Sequence, residues 1–239
     1  MLPAVMKDVC LDVEGKRLID RVSLTLFPET ISLFMGPSGA GKSLLLRLLH
    51  GLLSPSRGSI TWAGRVLDDR MRKRQAMVFQ NPVMLNRSVL ANLTFVLRLV
   101  DNNHPHVAME LLERVALRQH ARQPAMELSG GERQRLAIAK ALAVQPEVLF
   151  LDEAMSHLDP PSVTLIEELI LQQQRQGIKV IMVSHDLGQI QRLADEIFFV
   201  HQGQLVEHAV AQTFFANPQS FPAQLFLQSQ SWSKTFYQE

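Results

Sequence analysis

The sequence predicts an α/β protein built around a parallel sheet, and three observations lead there. Short apolar runs at 148–151 and 180–183 flank a stretch of helical pattern at 162–176, the strand–helix–strand alternation of a parallel sheet. A glycine-rich octapeptide at 36–43 sits between an apolar run and a leucine stripe of helical period. The opening third alternates apolar and polar residues as half-buried strands do, whereas 82–142 reads as almost wholly helical.

Taken in order, Val22-Ser23-Leu24-Thr25-Leu26 has the strand period, and Ile31 to Met35 is a compact apolar run stopped by Gly36, as a buried strand is. From Lys42 the apolar positions become Leu44, Leu45, Leu48, Leu49 and Leu52, a helical stripe ending near Gly51 and Pro55. Ile60 with Trp62, then Met77-Val78-Phe79, mark further strands. From about Pro82 to Leu142 there are few β-branched clusters. Asp101-Asn102-Asn103-His104-Pro105 and Pro124 punctuate this stretch as they would a helical insert. From Ala211 the chain is amphipathic, rich in Phe and Gln, and carries no recognisable chemistry. There are no internal repeats and no low-complexity segment.

Composition narrows the function classes. At 239 residues, 46% hydrophobic and 20% charged, the chain can bury a large core and is not generally disordered. Its 24 basic and 23 acidic residues exclude a strongly basic nucleic-acid binder and an acidic tail. Aromatics are 6% of the chain and mostly Phe, which argues against a stacking platform for single strands. The lone Cys10 cannot form an internal disulfide, in keeping with a reducing compartment. The N-terminal MLPAVMKDVC is broken by Lys7 and Asp8 before a signal-like core forms. No apolar run approaches the ~20 residues of a membrane helix, so the chain is expected to be soluble by itself.

Gly36-Pro37-Ser38-Gly39-Ala40-Gly41-Lys42-Ser43 matches the phosphate-loop pattern in the strand–helix context that motif requires. Glycines let the backbone wrap a phosphate chain, the N–H groups form an inward nest, and the helix N-terminus adds positive potential. Lys42 is placed to reach the β- and γ-phosphates and the Ser43 hydroxyl to hold Mg²⁺. A random chain of this length matches the bare pattern on the order of once in a hundred tries, so a ligand-free glycine turn is the weaker reading. Val148-Leu149-Phe150-Leu151-Asp152-Glu153 ends a buried strand in two carboxylates. Alone, that marks only a strand end. After a phosphate loop, it places Asp152 at Mg²⁺ and Glu153 at the water that attacks the γ-phosphate.

Leu128-Ser129-Gly130-Gly131-Glu132-Arg133-Gln134 is the most specific signal. Ser129 with Glu132 reads as a capping box at the start of the helix through Leu142. Two glycines at a helix start are poor for stability, however, and make sense where a phosphate approaches the bare N-terminus. This stretch resembles the signature motif of ATP-binding cassette (ABC) ATPases, and the resemblance extends over nearly the full chain. Gln80 matches that family's glutamine loop, which contacts Mg²⁺ and the attacking water and senses the membrane partner. Ser156-His157-Leu158-Asp159 resembles the loop that meets its twin across the dimer. His185, after Val183-Ser184, matches the switch histidine at the γ-phosphate.

The resemblance implies a P-loop NTPase fold: a RecA-like core with an N-terminal antiparallel β subdomain, plus a helical ABC-specific subdomain. The single domain would then divide into core and β subdomain at 1–81 and 145–210, a helical insert at 82–144 and a tail at 211–239. It implies ATP and Mg²⁺ as ligands. Two copies would sandwich two ATP molecules, each between Lys42 of one copy and Ser129, Gly130 and Gly131 of the other, with Glu132 and Asp159 alongside. The remaining partners would be transmembrane permease subunits and, through them, a solute-binding protein, with the chain peripheral on the cytoplasmic face of the cell membrane. No nucleic acid is expected.

Four departures stand out. Val13 occupies the position where the family stacks an aromatic on adenine, a contact worth ~1 kcal/mol. Glu132 stands where Gln is commoner, Ala154-Met155 replaces Pro-Thr, and His157 replaces a small residue.

The leading expectation is the energising subunit of an importer. The alternatives are a soluble ABC ATPase acting on ribosomes, DNA or iron–sulfur assembly, an exporter half, and a simple P-loop phosphotransferase. Paired cassettes or a long coiled-coil insert would mark the first, and neither is present. Residues 77–89, Asp186-Leu187-Gly188-Gln189 and Val206-Glu207-His208-Ala209 are most similar to oxyanion importers, tungstate first, then phosphate and molybdate. The chain ends soon after the core, so no appended regulatory domain is expected.

Overall fold

A computed structural model describes residues 1–100, 105–156 and 158–235. The punctuation at Asp101, Asn102, Asn103 and His104, the loop position His157 and residues 236–239 lie outside them. Strands β1 (Ala4–Val13) and β2 (Lys16–Leu26) form an antiparallel hairpin pairing Met6 with Leu24 and Val13 with Lys16. The expected buried run is β3 (Ile31–Met35), and the leucine stripe is α1 (Lys42–His50), ending at Gly51. Then come β4 (Arg57–Trp62), β5 (Arg65–Val66), α2 (Asp69–Arg72) and β6 (Gln75–Val78). The helical insert holds α3 (Val89–Leu99), α4 (Pro105–Arg114), two short 3-10 turns and α5 (Gly130–Ala143). After it run β7 (Val148–Asp152), α6 (Pro160–Arg175), β8 (Lys179–Val183) and α7 (Leu187–Leu193). The chain closes with β9 (Glu196–His201), β10 (Gln204–Val210), α8 (Ala211–Ala216) and α9 (Phe221–Thr235).

These elements gather into two compact units, Met1–Leu67 with the chain from Ile181 on, and Asp68–Val180, the boundary falling inside β8. In the first, an antiparallel sheet runs in the order β2-β1-β4-β5. Its Trp62 is fully buried and donates from Nε1 to the Leu49 carbonyl at 3.2 Å, fastening α1 to the sheet. Parallel β3 and β9 pair Ser32 with Glu196 and Met35 with Phe199, and β10 runs antiparallel to β9. Phe34 stacks on Phe198 at 5.2 Å, and Phe199 packs on Phe214 at 5.8 Å. Each such buried ring contributes roughly 1.5–3 kcal/mol through the apolar area taken from water.

In the second unit β6 and β7 are parallel, with Gln75 opposite Val148 and Val78 opposite Leu151. Leu93 and Leu97 of α3, Leu112 of α4 and Leu136 of α5 are buried, so three amphipathic helices turn their apolar faces inward. Ser88 caps α3 and Asp159 caps α6, each accepting from the backbone N–H three residues on. Among the described residues no helix is long and apolar enough to cross a membrane.

Candidate functional site

The phosphate loop leaves β3 at Gly36. A Cβ there would lie 2.0 Å from the Val200 carbonyl oxygen at a φ of 144°, so any side chain would displace β9. Ala40 N–H donates to the Pro37 carbonyl at 3.2 Å, and Gly203 N–H to the Ala40 carbonyl at 3.0 Å. Lys42 is buried, and its Nζ donates to the carbonyls of Gly36 and Pro37, both at 2.8 Å. Ser38 and Gly39 are exposed on the loop, and Ser43 stands in the first turn of α1. No side chain caps α1 and its first turn has no acidic residue, so the helix itself supplies no counter-charge to the positive end of its dipole. That arrangement fits a phosphate.

In the same unit Val13 ends β1, exposed at the hairpin. His185 is exposed two residues beyond β8 and directly precedes Asp186, which caps α7 by accepting from Gln189 N–H at 3.1 Å.

The second unit holds the carboxylates. Asp152 is buried at the end of β7. Glu153 follows at a φ of 49°, a left-handed conformation that costs a non-glycine residue roughly 1–3 kcal/mol and recurs at functional sites. The backbone N–H and hydroxyl of Ser156 both donate to the Glu153 carbonyl, at 3.2 and 3.0 Å, and hold the turn. Because β6 and β7 run parallel in register, the residues just past each emerge at the same end. Gln80 Nε2 accordingly donates to Glu153 Oε2 at 3.1 Å.

At the start of α5 the capping box forms as expected. Glu132 N–H donates to Ser129 Oγ at 3.3 Å and Ser129 N–H to Glu132 Oε2 at 2.8 Å. The Ser129 backbone N–H holds the Glu132 carboxyl below the usual glutamate range, and the Ser129 hydroxyl and nearby His120 lower it further against burial's opposite pull. A Cβ on Gly130 would meet nothing within 4 Å, so the described packing does not demand glycine there. Asp159 accepts from the Ser162 hydroxyl at 2.6 Å and from its N–H at 3.4 Å, the hydroxyl chiefly depressing its pKa.

A cavity of about 550 Å³ is lined by Gln80, Val83, Gly130, Gln134, Glu153 and Ser156 among others. It brings together four segments singled out in the sequence. Sequence reading missed Asn92 and Lys140, and named Gln134 only as the end of the Leu128–Gln134 motif; all three hold the chain around Gln80. Their signal was a polar residue interrupting an otherwise apolar helical face. Among the described residues no group of three or more His, Cys, Asp or Glu could hold a metal ion. Mg²⁺ takes few protein oxygens and fills its shell with nucleotide phosphates and water, and the oxygen donors present are of the type it takes.

A phosphate loop opening a helix and an acidic pair ending a buried strand define a P-loop nucleoside triphosphatase. The ABC transporter family profile matches residues 19–156, more than half of the chain. The chain belongs to the ABC transporter family, whose ATP-binding proteins take ATP with Mg²⁺ and hydrolyse it to power transport. It is 33% identical over 217 residues to the glutamine transport ATP-binding protein GlnQ of Geobacillus stearothermophilus, covering 86% of this chain and 90% of that one. It is 36% identical over 232 residues to the methionine import ATP-binding protein MetN of Haemophilus ducreyi, covering 91% of this chain and 67% of that one. Among solved structures, cbiO1 of Clostridium perfringens, part of the ABC transporter complex cbiONQ, superposes with a TM-score of 0.80 at 25% identity and 90% coverage of both chains.

Proposed function

We propose that this chain is the ATP-hydrolysing subunit of an importer, acting as a homodimer on the cytoplasmic face of a membrane beneath separate permease subunits. Similarity to the glutamine and methionine transport ATPases carries the reading. In it the chain forms one cassette, with 82–144 as the helical subdomain set into a core of 1–81 and 145–210, and 211–239 as a tail.

The chemistry assigned to each residue follows the resemblance to the family, and the residue types suit it. The loop N–H groups of residues 36–43 receive the phosphates, and Lys42 exchanges the Gly36 and Pro37 carbonyls for β- and γ-phosphate oxygens. Ser43, Asp152 and Gln80 would hold Mg²⁺, which supplies positive charge against the phosphate oxygens. Glu153 takes a proton from water as its oxygen bonds to the γ-phosphorus and the bond to the β–γ bridging oxygen breaks, giving ADP and phosphate. Gln80 holds the Glu153 carboxylate in line, and His185 contacts the γ-phosphate. Val13 offers the base an aliphatic surface. Ser129, Gly130, Gly131 and Glu132 of a second copy close the nucleotide from the other side, with Asp159 in the loop between the two sites. Differential contact with ATP and ADP then shifts the closed and open populations that drive the permease.

For cargo, the relatives named above favour a small amino acid. Tungstate or another oxyanion is the second reading. It rests on the resemblance of residues 77–89, 186–189 and 206–209 and draws no support from those relatives. The permease and binding protein choose the solute, so the test is made there. The solute-binding protein that serves the permease is titrated with glutamine, methionine, glutamate, tungstate, molybdate and phosphate. A tight amino acid supports the first cargo and a tight oxyanion the second. A chain that shows no MgATP hydrolysis and co-purifies with no permease subunit overturns the importer reading.

A further inference from the structure

Helix α5 holds the Gln80 segment at two points and carries the Ser129–Gly131 start at its own N-terminus. Gln134, buried, donates from Nε2 to the Phe79 carbonyl at 3.1 Å, one residue before Gln80. Lys140, half-buried, donates from Nζ to the Val83 carbonyl at 3.1 Å, three residues after it. The Val83 side chain itself is exposed. Beyond Val83 the segment is anchored again by Asn92 of α3, which is fully buried. Its Oδ1 accepts from Leu85 N–H at 2.8 Å, and its Nδ2 donates to the carbonyls of Leu85 and Ser88 at 3.0 and 3.1 Å. The stretch from Phe79 to Ser88 forms no named strand and is tied down by these side chains of α3 and α5. At its far end a backbone bond runs from Ala125 N–H to the Arg87 carbonyl at 2.9 Å, and an isolated bridge joins Ser88 and Pro124. Burial lowers the Lys140 pKa, in keeping with an ammonium kept from water while the carbonyl satisfies it.

We propose that Gln134 and Lys140 are positioning residues: they bind the Gln80 loop to α5, setting Gln80 against Glu153 and making the loop move with the Ser129–Gly131 helix start. The inference rests on the reading of Glu153 and Gln80 as hydrolytic residues. A rigid helix bonded at both sides of a loop passes a displacement of that loop to its own N-terminus. Loop and helix start then behave as one element with shared states. A push on Val83 from outside would be felt at Gly130 through Lys140 and the helix axis.

The test is a double-mutant cycle on the full-length chain, with kcat and KM read from steady-state MgATP hydrolysis. Gln134→Leu keeps volume and removes the donor, and Lys140→Met keeps the aliphatic stem. Each is expected to lower kcat, roughly fivefold for Gln134→Leu where a buried bond is lost, with KM within about twofold. Lys140→Arg, which keeps a donor, is expected to restore most of the loss. In a Gln80→Ala background the same substitutions should change kcat less than about twofold, because their effect passes through Gln80. Losses that multiply equally in both backgrounds indicate general destabilisation and overturn the inference. So does a Gln80→Ala variant at parental kcat beside a slowed Gln134→Leu. Should Gln134→Leu fail to fold, Lys140→Met carries the cycle. Glu153→Gln turning over at the parental rate removes the underlying reading instead, a distinguishable failure.

Discussion

Gln80 and Glu153, 73 residues apart in the chain, are joined by a hydrogen bond of 3.1 Å. The bond exists because parallel β6 and β7 end side by side and because Glu153 turns out of its strand at a left-handed φ. Substituting Glu153→Gln leaves an acceptor for the Gln80 amide but removes the base. It is therefore expected to bind MgATP, lose turnover and accumulate a dimer. Gel filtration with and without MgATP reads this directly. A variant that stays monomeric, or hydrolyses ATP like the parent, refutes the role proposed for Glu153.

Gly130 separates folding from function. An added Cβ meets nothing within 4 Å, and alanine loses less backbone entropy than glycine. Gly130→Ala should therefore raise stability by ~0.5–1 kcal/mol in thermal melts. If a second copy presents this helix start to the nucleotide, the same variant should hydrolyse ATP more slowly. A more stable protein with undiminished hydrolysis contradicts that use of the glycine.

The capping box carries a pH signature. The Glu132 carboxyl is held below its usual range, first by the Ser129 N–H. Its contribution to stability is thus complete above the unfolded value near ~4.3 and is lost as pH falls through the lower folded value. Glu132→Gln cannot titrate, so the stability difference between parent and variant should shrink as pH falls below ~4.3. Ser129→Ala, which removes the other half of the box, should cost ~1 kcal/mol at neutral pH. A parent–variant difference that stays constant through the acid range would show that the Glu132 charge contributes nothing here.

In the role proposed for it, exposed Val13 at the hairpin would give the base less surface than an aromatic ring. Val13→Tyr is expected to tighten adenine nucleotide binding by up to about tenfold, the equivalent of ~1.4 kcal/mol. Fluorescent-nucleotide titration with ATP and GTP as competitors checks it. Unchanged affinities for both would mean that another side chain already serves the base.

By itself the sequence determined the features whose physics is local. A glycine loop between an apolar strand and a leucine stripe needs only neighbouring residues to form. The Ser129–Glu132 box closes within one helical turn, and the helical insert follows from periodicity alone. The resemblance placed these motifs in the family that the comparisons bear out, while its tungstate reading found no support among the amino-acid transport relatives.

Only the tertiary structure decided the rest. Strand pairing is non-local, so nothing near Gln80 could announce that it meets Glu153. Periodicity likewise gives no sign that Gly36 lacks room because the Val200 carbonyl lies 2.0 Å from where a Cβ would stand. Asn92 and Lys140 read as ordinary polar helix residues, and Gln134 only as the end of a motif, until folding sets each against a backbone carbonyl of the Gln80 segment. A side chain's hydrogen-bond partner depends on which backbone groups the fold leaves unpaired beside it, and that is known only once the elements have packed.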